Sequence, residues 1–173
     1  MLRQASVHEI KTGKIPRKNT HVVIAMHTFP RGVAKALFDE YVASLSPGPA
    51  LFNDFYAHKK NKKEPHNEAF VSCGYERRFG VPAQGLGELK RLADLSAKQD
   101  VYLVCQCKSD ERCHRDLLLM MAHEWYGAKT EAPRFEYSLF TKRLQKKPPE
   151  NLSFAAEASR SSRGLEWPVP LRE

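Results

Sequence analysis

The chain has 173 residues, 42% of them apolar and 28% charged, which is one domain's worth of an ordinary globular composition and excludes collagen-like and mostly disordered readings. Twenty-eight Lys and Arg against 20 Asp and Glu give a net charge of +8, so anionic partners are favoured over cationic ones.

The opening residues MLRQASVHEI lack the apolar stretch of a secretion signal, and apolar runs such as Val22 to Met26 fall far below the roughly 20 residues that a bilayer crossing needs. A cytoplasmic address is expected, with Cys73, Cys105, Cys107 and Cys113 as free thiols. Residues 1–20 carry Gly13, Pro16 and several basic side chains without periodicity and read as an N-terminal arm. Val22 to Met26 form a continuous apolar run, as in a parallel strand buried on both faces. His27 to Gly32 follow as a loop, and Val33, Leu37, Tyr41 and Leu45 recur at the spacing of a helix. Ser46-Pro47-Gly48-Pro49 breaks that pattern. Phe52, Phe55 and Tyr56 then lead into Lys59, Lys60, Lys62 and Lys63, which read either as a solvated loop or as a phosphate-contacting loop with aromatic stacking platforms beside it.

Pro65 to Phe79 is predicted helical, and Leu86, Leu89, Leu92 and Leu95 give a further amphipathic helix ending near Lys98. Val101 to Cys105 is the second strong strand signal, followed by a helix with Leu117, Leu118, Met121 and Trp125 on its apolar face. Phe135 to Phe140 reads as a late strand, before the basic residues Lys142, Arg143, Lys146 and Lys147. Residues 148–173 read as a tail, packed through Trp167 and Leu171. The expectation is a single-domain α/β protein over residues 21–147, three layers deep, with a mainly parallel sheet flanked by helices. Ligands of such sheets gather at the carboxyl ends of strands, which places the loops after Met26 and Cys105 at one edge.

The stretch VYLVCQCKSDERCHRDLLLMMA concentrates the chemistry. Cys113 is expected at a helix N-terminus, where free N–H groups, the helix dipole and the cations Arg112, His114 and Arg115 favour a thiolate. Three other readings stand beside this one. Zinc held by Cys105, Cys107, Cys113 and His114 has suitable ligand types, but neighbours at a helix start should point about 100° apart, so no cofactor is expected. Cys107 to Arg112 resembles the six-residue cysteine-to-arginine loop of rhodanese-like sulfur transferases. In the third, Cys105 and Cys113 are buried small apolar residues, His114 caps the helix and Arg115 sits in a salt bridge.

The strand ending at Cys105, a polar loop and Cys113-His114-Arg115 before an apolar helix resemble the domain of unknown function 488 family. The stretch VVIAMHTFPRGVAKALFDEYVASLSPGPALFNDFY resembles that family's first strand and its Pro-Arg-Gly turn. The chain departs from many members at His27, where they carry arginine, at Ala25 and Met26, where they carry an aspartate, and at Cys107, where they carry glutamate. The resemblance implies a fold and a site without a reaction. From the residues, Cys113 is expected as nucleophile or anion-contacting cap, His114 as acid or base, and Cys105 beside them. Arg31, Arg115, His27 and Arg112 are expected to bind an anionic group of the ligand. A nucleotide or nucleic acid is the expected partner, and a non-catalytic nucleic-acid-binding module is the competing class.

Overall fold

The computed structural model describes residues 1–145. Lys146, Lys147 and the tail with Trp167 and Leu171 lie outside the described residues.

Four parallel strands form one sheet in the order β1-β4-β2-β3, with β1 at Leu2–Ser6, β2 at Thr20–Ile24, β3 at Glu40–Tyr41 and β4 at Asp100–Cys105. Among the described residues seven helices flank it: α1 (Val7–Lys11), α2 (Pro49–Lys60), α3 (His66–Ser72), α4 (Tyr75–Arg78), α5 (Ala83–Leu95), α6 (His114–Tyr126) and α7 (Ser138–Leu144). The protein is therefore a single-domain α/β fold of three layers. Among the described residues no helix is long and apolar enough to cross a membrane.

The central strand β4 pairs Leu2 to Ser6 with Val101 to Cys105 on one side and Thr20 to Ile24 with Asp100 to Val104 on the other. The carboxyl ends of β1, β4 and β2 consequently stand level. Side chains alternate between the faces. Leu2, Val23, Ala25, Val101 and Leu103 join the larger core with α5, α6 and α7, while Ala5, Val22, Ile24 and Val104 pack with Val7, Ile10 and Val33 on the other face. Both strong strands are buried on both sides, which is why they read as uninterrupted apolar runs.

Four elements differ from the expectation. Residues 1–20, expected as an arm, contain β1 and α1. Leu2, Ala5, Val7 and Ile10 are buried, and Ser6 caps α1 by accepting from Glu9 N while Ser6 N donates to Glu9 Oε2 at 2.7 Å. The helix expected from Val33 is two short 3₁₀ turns around β3. Here Asp39 N and Val42 N donate to Val22 O and Ile24 O at 2.8 and 2.9 Å, so pairing with the edge of β2 overrides the four-residue period. The Pro65–Phe79 helix breaks at Gly74, whose φ of +67° is the left-handed conformation that glycine tolerates. The strand expected at Phe135–Phe140 is instead the entry to α7. Leu139 N and Phe140 N donate to Glu76 Oε2 at 3.1 and 3.2 Å, so a carboxylate at the helix start takes up the amides that a sheet would have used.

Candidate functional site

Cys113 is the N-cap of α6 with φ −145° and ψ 150°, so its side chain leaves the backbone in the extended direction and not on the helical spiral. The 100° argument from sequence therefore does not apply, and Cys113 Sγ lies 3.6 Å from His114 Nδ1. His114 Nε2 lies 2.7 Å from Ala25 O, which can only accept, so Nε2 carries a hydrogen while Nδ1 faces the sulfur. Cys105 Sγ and Cys107 Sγ are 3.7 Å apart at the end of β4. The thiols of Cys105 and Cys113 and the His114 ring bring their ligand atoms within 4.8 Å of one another, as do those of His66, Cys107 and Glu111.

Arg115 ties this group together. It is fully buried, and its Nε donates to Cys113 Sγ at 3.2 Å, its Nη2 to Cys107 O at 2.9 Å and its Nη1 to Ala5 O. Each guanidinium nitrogen is engaged inside the protein, so Arg115 positions the loop and has no face left toward a ligand. Asp116 anchors the same turn from beneath. It accepts from Gln4 Nε2 at 2.7 Å, Tyr137 Oη at 2.7 Å and Arg134 N at 3.1 Å, and Tyr137 Oη in turn accepts from Cys113 N at 3.3 Å.

Burial opposes ionisation of Cys113, yet hydrogen bonds from Cys105 and Cys107 and the charges of Arg115 and His114 hold its thiol well below the usual range. The same cluster has the opposite effect on Cys107, which donates to the neighbouring sulfurs, Cys105 first, and is pushed well above it. Burial lowers the basicity of His114, but the Cys113 charge outweighs it and raises the imidazole well above its ordinary value.

A cavity of about 300 Å³ opens over these groups, at the lower end of the range for small-molecule sites. Cys105, Cys107 and His114 are among its lining residues, and Cys113, 2% exposed, lies behind them. One wall is aromatic: His27 stacks on Phe52 with ring centres 4.7 Å apart, Tyr56 follows at 4.7 Å from Phe52, and Phe55 meets Tyr75 and His66 edge-on. Lys59 and Lys108 also line it, together with Glu111. Lys59 Nζ lies 5.7 Å over the Phe55 ring and 3.4 Å from His66 Nδ1.

The remaining candidates fall elsewhere. Arg31 is exposed in the loop after β2 and is not a lining residue; its carbonyl accepts from Lys11 Nζ. Arg112 is turned away, donating to Glu136 O at 3.0 Å and lying over the rings of Phe135 and Tyr137. Lys60, Lys62 and Lys63 are exposed at and beyond the end of α2. The rhodanese-like loop closes on itself, since Lys108 N donates to Glu111 Oε2 at 2.8 Å. Sequence reasoning missed His66, Tyr75, Lys108 and Glu111. Only the last two carried a signal, being inside the Cys107–Arg112 loop.

A family model described as DUF488-N3a: Active DUF488-N3 subclade matches residues 6–125. Neither the curated proteins nor the solved structures hold a match to the chain.

Proposed function

The chain belongs to the DUF488 family, and from that premise we propose that its cavity binds a nucleotide, with the base against the aromatic wall and the phosphate at Lys59 and Lys108. One observation carries this reading: stacking surfaces, cations and a thiol–imidazole floor converge on a single 300 Å³ space at the strand ends. Aromatic faces recognise a base through stacking, which tolerates any base, whereas ammonium groups recognise the phosphate as point charges. His27 and Phe52 sit one above the other and present a ready-made platform. Cys107 and His114 then face the bound molecule from below.

The experiment is calorimetric titration with nucleoside monophosphates and with the corresponding nucleosides. Nucleotides bind and nucleosides bind more weakly. Phe52→Ala weakens binding about 5- to 150-fold, the equivalent of about 1–3 kcal/mol per stacked base. Lys59→Glu abolishes the preference for the phosphorylated form. Absence of nucleotide binding, or equal affinity for nucleoside and nucleotide, overturns the reading.

A further inference from the structure

We propose that Cys105, Cys107, Cys113 and His114 hold a zinc ion as a closed three-cysteine, one-histidine site beneath the cavity. The donor set is the first ground. Thiolate sulfur and imidazole nitrogen are the ligands that tetrahedral structural zinc prefers; the donors of Cys105, Cys113 and His114 lie within 4.8 Å of one another, and Cys107 Sγ stands 3.7 Å from Cys105 Sγ.

Geometry is the second ground. With Zn–S about 2.3 Å and Zn–N about 2.0–2.1 Å, a tetrahedron sets sulfurs about 3.8 Å apart and sulfur and nitrogen about 3.6 Å apart. Two of the six separations match this directly, 3.7 Å between Cys105 Sγ and Cys107 Sγ and 3.6 Å between Cys113 Sγ and His114 Nδ1. Cys105, Cys113 and His114 form the compact buried part. Cys107, less buried, 3.7 Å from Cys105 Sγ and clustered with His66 and Glu111, would supply the fourth corner from the cavity side by turning onto the ion.

The surroundings supply the third ground. A metal-ligating histidine normally donates its other ring N–H to a fixed acceptor, which sets the tautomer, and His114 Nε2 does this to Ala25 O. Three thiolates and a divalent ion sum to one negative charge. Arg115, fully buried, makes no ion pair with a carboxylate among the described residues and instead donates to Cys113 Sγ and Cys107 O. A buried guanidinium needs a compensating anion, and a zinc–tris-thiolate centre provides it. Binding releases the thiol protons to solvent, with no change of oxidation state.

The inference does not rest on the nucleotide reading, because the test uses the metal alone. Zinc is measured in the full chain purified without chelator and with its thiols kept reduced, and the stripped protein is then titrated with cobalt(II). About one zinc per chain is expected, and cobalt should give the intense d–d bands of a tetrahedral site together with sulfur-to-cobalt charge transfer. Cys107→Ser, at the least buried ligand, weakens the charge-transfer band while the fold persists, and Cys105→Ser removes stoichiometric binding. Folded wild-type protein that neither carries zinc nor shows sulfur-to-cobalt charge transfer overturns the proposal. So does cobalt binding that is unchanged in both variants.

Discussion

Arg115 is the residue whose environment departs most from what its type suggests. Part of a Cys-His-Arg signature in a basic protein, it reads as an anion-binding group, yet it is fully buried and its three nitrogens span β1, the Cys107 loop and the start of α6. Arg115→Met leaves the carbonyls of Ala5 and Cys107 unpaired at about 1–3 kcal/mol each, so a loss of about 3 kcal/mol is expected in urea unfolding at constant m-value. Arg115→Lys recovers only part of this, since one ammonium cannot reach three separate acceptors. A loss below about 1 kcal/mol for the methionine variant would show these bonds to be dispensable. The motif itself was legible, because Cys105, Cys113, His114 and Arg115 lie within one short stretch. Their division of labour was not. It depends on Ala5 O and Ala25 O, backbone groups from remote segments that leave no trace in side-chain identity. His66 and Tyr75 reach the cavity from two other helices and were invisible for the same reason.

At the scale of elements, the start of α1 carries a local signal of its own. Ser6-Val7-His8-Glu9 is a capping box in which Ser6 accepts from Glu9 N at 3.2 Å and the Glu9 carboxylate accepts from both Ser6 N and Ser6 Oγ. Ser6→Ala is expected to cost about 1 kcal/mol. Burial raises the Glu9 pKa, but the two Ser6 hydrogen bonds outweigh it and hold the carboxyl below its ordinary value. A depressed carboxylate stabilises the fold above its unfolded pKa, about 4.3, and that contribution disappears as the pH falls through the lower folded value. Thermal melts at pH 7 and pH 3 should therefore show a smaller acid-induced loss in Glu9→Gln than in the wild type. Gly85, in the first turn of α5, has the opposite character. It has an ordinary helical conformation, and the substitution to Ala would improve helix propensity, yet a Cβ there would collide with the Ser44 carbonyl oxygen. Gly85→Ala is accordingly expected to destabilise by about 1–3 kcal/mol, the range for overpacking, and a stabilised variant would mean that the 3₁₀ turn at Ala43–Leu45 gives way freely.

On the scale of the whole molecule, two strands decided the fold class in advance. The runs Val22 to Met26 and Val101 to Cys105 fall on the adjacent, largely buried strands β2 and β4, and their apolar character announced a parallel sheet. β1 did not announce itself. Leu2-Arg3-Gln4-Ala5-Ser6 mixes polar and apolar residues because Gln4 is buried against Asp116 and Ser6 against Glu9, partners that make a polar strand tolerable inside the protein. A segment that reads as an arm is thus half of the support of β4, whose five paired positions run from Val101 to Cys105. Removing residues 1–11 exposes that edge, takes Leu2, Ala5, Val7 and Ile10 out of both cores, and deprives Arg115 and Asp116 of an acceptor and a donor. Four buried apolar side chains, at about 1.5–3 kcal/mol for each of the larger ones, already approach the 5–15 kcal/mol that holds a domain together. The shortened chain is expected to lose its cooperative urea transition and its near-ultraviolet circular dichroism together. A dispensable arm would leave both intact, and only that result would separate the sheet that carries the site from the chain's first segment.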